Sequence, residues 1–102
     1  MKKILKSTVT ANKKIAADHY VMDLLSPWLA KNSKPGQFVS VSVRGAHTDP
    51  LLRVPLGIHR ITPKGISLLY KVVGEGTKVL SRFRKGDEAE ILGPLGNGFD
   101  IV

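Results

Sequence analysis

The chain has 102 residues, a length that fits one domain with a single core and leaves little room for a second module. It contains no cysteine, which excludes disulfides, thiolate metal sites and a cysteine-ligated iron–sulfur cluster within these residues. A formal net charge of +8 would suit nucleic acid, anionic lipid or a phosphate-bearing ligand, but the lysines are scattered rather than clustered.

The first 26 residues predict a β-hairpin. The opening segment MKKILKSTVTANKKIAADHY lacks the apolar core of a signal peptide, and no later run reaches membrane-spanning length. We therefore expect a cytoplasmic protein with no membrane partner. The segments ILKSTVTANKKIA and HYVMDLLS are typical of two paired strands. A polar connection with Pro27 and Pro35 follows, with room for one turn of helix around Trp28.

The middle of the chain predicts two further strands separated by a loop. The segment QFVSVSV alternates valines with Ser40 and Ser42, as a half-buried strand does. Residues 44–50, RGAHTDP, read as a loop. The next strand, LLRVPLGIHRI, contains Pro55, which has no N–H for the ladder and therefore belongs on a sheet edge or at a bulge.

The last third predicts a strand, a helix and a final strand. ISLLYKVV is strand-like, and TKVLSRF places Val79, Leu80 and Phe83 at helical spacing, so we expect a helix over 77–83. EAEILG forms the last strand, and GPLGNGFDIV reads as a loop-like tail. About six strands with frequent turn signals indicate a closed or nearly closed antiparallel barrel.

The stretch Gly74-Glu75-Gly76-Thr77 lies where a strand changes into a helix. A helix start presents backbone N–H groups without intrahelical partners, and these suit an anion. The stretch matches neither a P-loop nor a complete dinucleotide fingerprint. Two interpretations stay open: a simple turn capped by Thr77, or a phosphate site in which Gly76 allows close approach, Thr77 donates its N–H and hydroxyl, and Lys71 adds charge.

Five ordered blocks together resemble a known family. They are PGQFV (35–39), PLLRVPLGIHRI (50–61), LLYKVVGEGTKVLS (68–81), GD (86–87) and GPLGNGF (93–99). This series is similar to the electron-transfer subunit of NAD-linked dihydroorotate dehydrogenase, in the ferredoxin-reductase superfamily. The resemblance implies an all-β fold, a six-stranded antiparallel Greek-key barrel with one short covering helix, that binds FAD.

The resemblance also implies a role and partners. The flavin would relay electrons between NAD(H) and a dihydroorotate dehydrogenase catalytic subunit in pyrimidine biosynthesis. In the family a nicotinamide-binding domain and a cysteine-rich cluster segment follow the barrel, and neither matches residues 1–102. We therefore expect residues 1–102 to be the FAD-binding barrel domain, an oxidoreductase part that is incomplete alone. No catalytic or metal-ligating set is predicted.

The family's flavin contacts carry over unevenly. Its Arg-Pro-x-Ser motif falls on Val54, Pro55, Leu56 and Gly57, so both polar side chains are missing here. Arg53 stands one residue earlier and points to the opposite strand face unless a bulge at Pro55 brings it back. An Arg–phosphate contact contributes ~1.5–3 kcal/mol, so weaker FAD binding or rearranged contacts are expected.

Two further blocks complete the predicted flavin site. Leu69, Tyr70 and Lys71 would face the flavin with backbone groups and one basic side chain. Gly76 and Thr77 would hold the FAD pyrophosphate at the helix start.

Two rival functions compete with FAD binding. A small basic barrel can bind single-stranded nucleic acid when it carries exposed aromatics on one face, but the aromatics of this sequence are scattered. Nucleic acid is therefore not an expected partner. The other rival is a structural barrel without a ligand.

Overall fold

A computed structural model describes residues 2–43 and 52–96 of the chain. Six strands and two short helices follow one another in these residues. They are β1 (Lys3–Ala16), β2 (His19–Leu25), α1 (Pro27–Asn32), β3 (Phe38–Val43), β4 (Leu52–Ile61), β5 (Gly65–Lys71), α2 (Glu75–Leu80) and β6 (Glu88–Leu95). No helix in this part of the chain is long and apolar enough to cross a membrane.

The strands close into an antiparallel barrel in the order β1-β2-β5-β4-β3-β6. β3, β4 and β5 are neighbours in sequence and in space, and β6 returns to lie beside β3. A fourth strand that returns beside the first of three consecutive strands defines a Greek key. The predicted six-stranded antiparallel barrel is confirmed.

The barrel interior is filled by the alternating side chains that the sequence indicates. On β3, Val39, Val41 and Val43 are buried, and the serines between them lie on the other face. Every strand and both helices contribute to one core, whose buried members are Val9, Met22, Leu24, Leu29, Val39, Val41, Val43, Leu56, Ile66, Leu68, Tyr70, Leu80, Ala89 and Ile91.

Both helices are short and lie between strands. The structure adds α1 where the sequence leaves room for one helical turn. Its start is capped by Ser26, whose Oγ accepts a hydrogen bond from the Leu29 N–H at 3.2 Å. α2 begins at Glu75 and ends at Leu80, both earlier than the predicted bounds of 77 and 83.

The tail prediction is partly wrong. Pro94 and Leu95 belong to β6 instead of a loop, and so does Gly93, which the sequence assigns to both segments. A Cβ on Gly93 would come within 2.8 Å of Val39 Cγ1, so this glycine lets β6 pack directly on β3. The predicted loop at 44–50 and the tail residues 97–102 lie outside the described residues.

Candidate functional site

Strand β4 changes its hydrogen-bonded neighbour partway along its length. Residues 52–57 pair with β3, and residues 58–61 pair with β5. On β5, this pairing covers residues 66–68 and does not extend to residues 69–71. Within the described residues, the first half of β4 and the end of β5 therefore do not pair with each other, and we call this unpaired stretch the β4–β5 gap.

The predicted flavin residues of both strands lie beside this gap. Arg53, Val54, Pro55, Leu56 and Gly57 form the half of β4 that pairs only with β3 among the described residues. Pro55 thus occupies a strand edge, as its missing N–H predicts. Leu69, Tyr70 and Lys71 form the end of β5 on the other side of the gap.

The bulge considered at Pro55 is absent. Pairing between β3 and β4 runs from Val43 opposite Leu52 to Phe38 opposite Gly57 without a register shift. Side chains therefore alternate strictly along this part of β4. Arg53 is exposed, whereas Val54 is half-buried and packs against the core. The two side chains lie on opposite faces of the strand.

The first turn of α2 contacts β4 at Val54. α2 packs against both β3 and β4. A Cβ built on Gly76 would lie 2.5 Å from Val54 Cγ2, closer than carbon atoms approach in real structures. The glycine is required by this close approach, and it places the start of α2 directly against position 54. Two blocks that the sequence treats separately therefore meet in space.

Thr77 uses its hydroxyl within the chain. Its Oγ1 accepts hydrogen bonds from the N–H groups of Val73 at 2.9 Å and Gly74 at 3.1 Å. The same hydroxyl donates to the Gly74 carbonyl at 3.1 Å, and the side chain is buried. Thr77 therefore stabilises the first turn of α2. The expected donation from its hydroxyl to a phosphate is not available in this arrangement, and a contact from its backbone N–H stays a prediction.

On β5 the side chain of Tyr70 points into the barrel. Its ring stacks on Tyr20 with centroids 5.6 Å apart, and its hydroxyl donates to Asn12 Oδ1 at 2.9 Å. Burial raises the pKa of Tyr70 to about 12, while the hydrogen bond to Asn12 lowers it and the nearby Tyr20 raises it. Only the backbone of Tyr70 is therefore available at the gap, whereas the side chains of Leu69 and Lys71 are exposed.

Gly57 has room for a larger residue. It is exposed, and a Cβ built on it would meet no atom within 4 Å among the described residues. Serine would therefore fit at this position without moving a neighbour. The absence of a serine at position 57 is thus not a consequence of crowding.

A separate cleft of about 680 Å³ opens on the outer face of β1, β2, β4 and β5. Its lining includes Lys13, His59, Arg60 and Asp23. Asp23 Oδ1 accepts a hydrogen bond from Ser67 Oγ at 2.6 Å. No residue of the predicted flavin set lines this cleft. Cavity size alone would therefore point away from the β4–β5 gap.

The aromatic side chains give no support to the nucleic-acid rival. Among residues 2–43 and 52–96, Phe38 is the one aromatic residue that is exposed. Tyr20, Trp28 and Phe83 are half-buried, and Tyr70 is buried. Binding of single strands relies on several exposed rings on which successive bases stack. The described surface offers no such series.

The chain is similar to known proteins over nearly its whole length. The chain is 43% identical over 103 residues to "Dihydroorotate dehydrogenase B (NAD(+)), electron transfer subunit" of Desulforamulus reducens, a match over 99% of this chain and 39% of that protein. The subunit of the same name from Enterococcus faecalis is 42% identical, over 93% of this chain and 36% of that protein. No protein-family profile matches.

The chain is also similar to a solved structure of a flavin-based electron-transfer protein. An NADH-dependent reduced ferredoxin-NADP oxidoreductase, described for flavin-based electron bifurcation, superposes with a TM-score of 0.79 at 33% identity. The match covers 92% of this chain and 34% of that one. The chain thus spans about two fifths of the length of the curated relatives it matches. Over nearly its whole length it is similar to one part of the electron transfer subunit of dihydroorotate dehydrogenase B.

Proposed function

We propose that this chain binds FAD along the β4–β5 gap and serves as the flavin-binding part of an electron transfer subunit. The observation that carries the proposal is the contact between Val54 and Gly76. This contact brings the position of the family's arginine to the first turn of α2. A pyrophosphate held at that turn would lie beside Val54, the position at which the family has its phosphate-binding arginine.

The phosphate end of the site relies mainly on the backbone. Gly76 and Thr77 belong to the first turn of α2, where N–H groups have no intrahelical acceptor. Val54 fills the space over Gly76 without adding charge. The exposed Lys71 at the end of β5 supplies a cation on the same side of the barrel. This arrangement suits an anion, with fewer charged contacts than the family motif provides.

The ring end of the site relies on the edges of the two strands. Leu69–Lys71 pair with β2 on one side and have no β4 partner within the described residues on the other. The backbone groups that face away from β2 are therefore available to polar atoms on the edge of a flavin ring. Leu69 is 39% exposed and offers apolar surface. Gly57 lies on β4 about 10 Å from Val54, given ~3.3 Å per residue in a strand. The site is therefore long enough for separate phosphate and ring contacts.

The chemistry belongs to the flavin, and the chain supplies position and electrostatics. FAD, when bound, can accept a hydride from a nicotinamide and pass electrons on singly. No acid or base from this chain is required for that chemistry. The residues beside the gap bind the cofactor, orient it and leave it open on one side.

The role in the whole protein is also proposed from the relatives. Their name specifies NAD(+) and an electron transfer subunit, which supports a relay between NAD(H) and a dihydroorotate dehydrogenase catalytic subunit in pyrimidine biosynthesis. We place the nicotinamide-binding and cluster-binding segments in the part of the relatives that this chain does not match. A cytoplasmic location is part of the same proposal and can be checked by cell fractionation.

Restoring the family motif tests the site. Val54→Arg would place a guanidinium at the start of α2, and Gly57→Ser would add a donor where the structure has room. We expect the double variant to tighten FAD by ~2–4 kcal/mol, the sum of one charged and one neutral hydrogen bond. Flavin fluorescence quenching on titration measures the dissociation constant.

Two controls make this test specific. Leu25→Arg adds the same charge on an exposed residue of β2, at the end of the barrel that carries α1, and should leave FAD affinity unchanged. Arg53→Ala should have little effect, because Arg53 points away from the first turn of α2, which Val54 contacts. Gly57 shares the strand face of Arg53, so Gly57→Ser tests the ring end of the site and not the phosphate end. A wild type without flavin binding, and variants that do not gain it, would refute the proposal. If Arg53→Ala alone lost FAD binding, the phosphate would have to bind on the face of β4 that carries Arg53.

A further inference from the structure

The side chain of Asn12 joins three elements of the barrel. Asn12 lies on β1, and its Nδ2 donates to the carbonyls of Leu80 at 2.8 Å and Phe83 at 3.0 Å. Its Oδ1 accepts the hydrogen bond from the Tyr70 hydroxyl at 2.9 Å. One amide therefore links β1, the end of α2 and β5, across 58 to 71 residues of sequence.

The Leu80 carbonyl belongs to the last residue of α2, and the Phe83 carbonyl lies three residues beyond it, in the segment that leaves the helix. Carbonyls in the last turn of a helix lack intrahelical donors, so an outside donor stabilises the end of the helix. A helix of six residues is too short to be stable alone, and its position depends on tertiary contacts. The buried Leu80 and the Asn12 amide together fix where α2 ends. Because α2 is only ~9 Å long, they also fix where it begins.

The hydrogen bond between Tyr70 and Asn12 ties the position of α2 to β5. Tyr70 is paired with Tyr20 on β2, and its ring is buried and stacked, so the strand backbone is held independently of Asn12. The hydroxyl of Tyr70 orients the Asn12 amide, so that both amide hydrogens point toward α2. The distance between the start of α2 and the end of β5 thus depends on this one side chain.

We propose that Asn12 is a positioning residue that sets the span between the phosphate end and the ring end of the flavin site. The inference rests on the proposed function, because it assigns those two ends to α2 and β5. It adds a residue on β1, outside every block that resembles the family and remote in sequence from the predicted contacts.

The test compares FAD with riboflavin, which has the ring but no pyrophosphate. In the 102-residue chain, Asn12→Ala should raise the dissociation constant for FAD by about tenfold, as for the loss of one or two hydrogen bonds. Riboflavin affinity should change by less than about twofold, because the β5 backbone stays in place. Equal changes for both ligands, or no change for FAD, would overturn the inference.

A second variant covers the case in which Asn12→Ala fails to fold. Asn12→Asp retains an acceptor for Tyr70 but turns a carboxylate oxygen toward the carbonyls of Leu80 and Phe83. It should weaken FAD selectively in the same way. Asn32→Ala is the matched control, because Asn32 Nδ2 donates at 2.8 Å to a helix carbonyl of α1, that of Trp28. It should leave both ligands unaffected.

Hydrogen exchange separates this inference from the proposed function. The amides of Lys78 and Ser81 donate within α2, at 2.9 and 3.0 Å. Their exchange should accelerate by at least about tenfold in Asn12→Ala and stay unchanged in Asn32→Ala. If the wild type does not bind FAD, the proposed function fails, while faster exchange would still support positioning of α2 by Asn12. Unchanged exchange would refute that positioning.

Discussion

The two helices have the same length of six residues, but their first turns differ. α1 starts after Ser26, whose buried hydroxyl accepts a hydrogen bond from the Leu29 N–H. The first helical residue, Pro27, has no N–H and therefore leaves no unpaired donor at this position. α2 starts after Gly74, which has no side chain, and Thr77 reaches back from within the helix to bond Gly74. The start of α1 is thus closed by its own cap, whereas the start of α2 lies against the β4–β5 gap.

A glycine packs close to each helix start, and the two contacts also differ. A Cβ on Gly65 would overlap the backbone carbonyl of Leu24 and lie 3.0 Å from the backbone nitrogen of Ser26. A Cβ on Gly76 would meet only the side chain of Val54 within 3 Å. Backbone cannot retreat easily, but a side chain can be exchanged. The α1 end is therefore fixed, and the α2 end can change with position 54.

The largest effect is expected at the α1 end. Gly65→Ala should destabilise the protein by more than ~3 kcal/mol, because the new methyl group meets a backbone that two strands hold in place. Urea unfolding followed by circular dichroism measures the change. Gly57→Ala is the matched control, since its Cβ would meet no described atom, and it should cost less than ~1 kcal/mol. Similar effects at both positions would contradict the contrast between a fixed end and an open strand edge.

The second prediction concerns the far ends of the helices. Only α2 is held through Tyr70, whose pKa is raised by burial to about 12 in the folded protein, against about 10 for an exposed tyrosine. The neutral hydroxyl therefore contributes stability that is fully present below pH 10 and is lost as the pH rises toward 12. The loss should approach ~1.4 kcal/mol per pH unit in that interval.

Tyr70→Phe isolates this effect from the titration of lysines. The variant should be less stable than the wild type at pH 8 and should lose less stability between pH 10 and pH 12. Unfolding midpoints at several pH values give both curves. Parallel curves for the two proteins would show that Tyr70 does not titrate in this interval.

The smallest effect is expected at the α2 start. Gly76→Ala introduces a clash of ~1–3 kcal/mol, which a gain of ~1 kcal/mol in helix propensity partly offsets. In a Val54→Ala background the clash disappears, and alanine at position 76 should be neutral or stabilising. A double-mutant cycle on the free energy of unfolding should therefore give a coupling of ~1–2 kcal/mol. Additive effects would mean that the two positions do not touch.

The fold could be predicted from the sequence where a local pattern determines it. The alternation in Phe38–Val43 is a local signal, and the strand that it predicts is confirmed as β3. The hairpin predicted for the first 26 residues is confirmed by the antiparallel pairing of β1 and β2. The loop prediction for Pro94 and Leu95 is wrong because glycine and proline usually mark loops, whereas here Gly93 lets β6 pack directly on Val39 and continue. A serine followed by a proline is a recognisable helix start, so α1 can be predicted from Ser26 and Pro27.

The site could be predicted only in part. The blocks on β4, β5 and α2 were identified from the sequence, but their meeting at Val54 and Gly76 is a property of the closed barrel. The hydroxyl of Thr77 has two competing uses, and geometry decides between them. Asn12 gave no signal, because a polar residue in an exposed strand stretch is ordinary and its partners are distant in sequence.

The change of neighbour along β4 also bears on self-association. Strand edges with unsatisfied backbone groups are templates on which a second chain can add, and proteins commonly protect them with charge or proline. The edges beside the β4–β5 gap carry Arg53, Pro55 and Lys71, all exposed. Two such chains would bring like charges together when these edges approach, and Pro55 offers no N–H for pairing. The unpaired edges thus discourage the addition of a strand from a second chain.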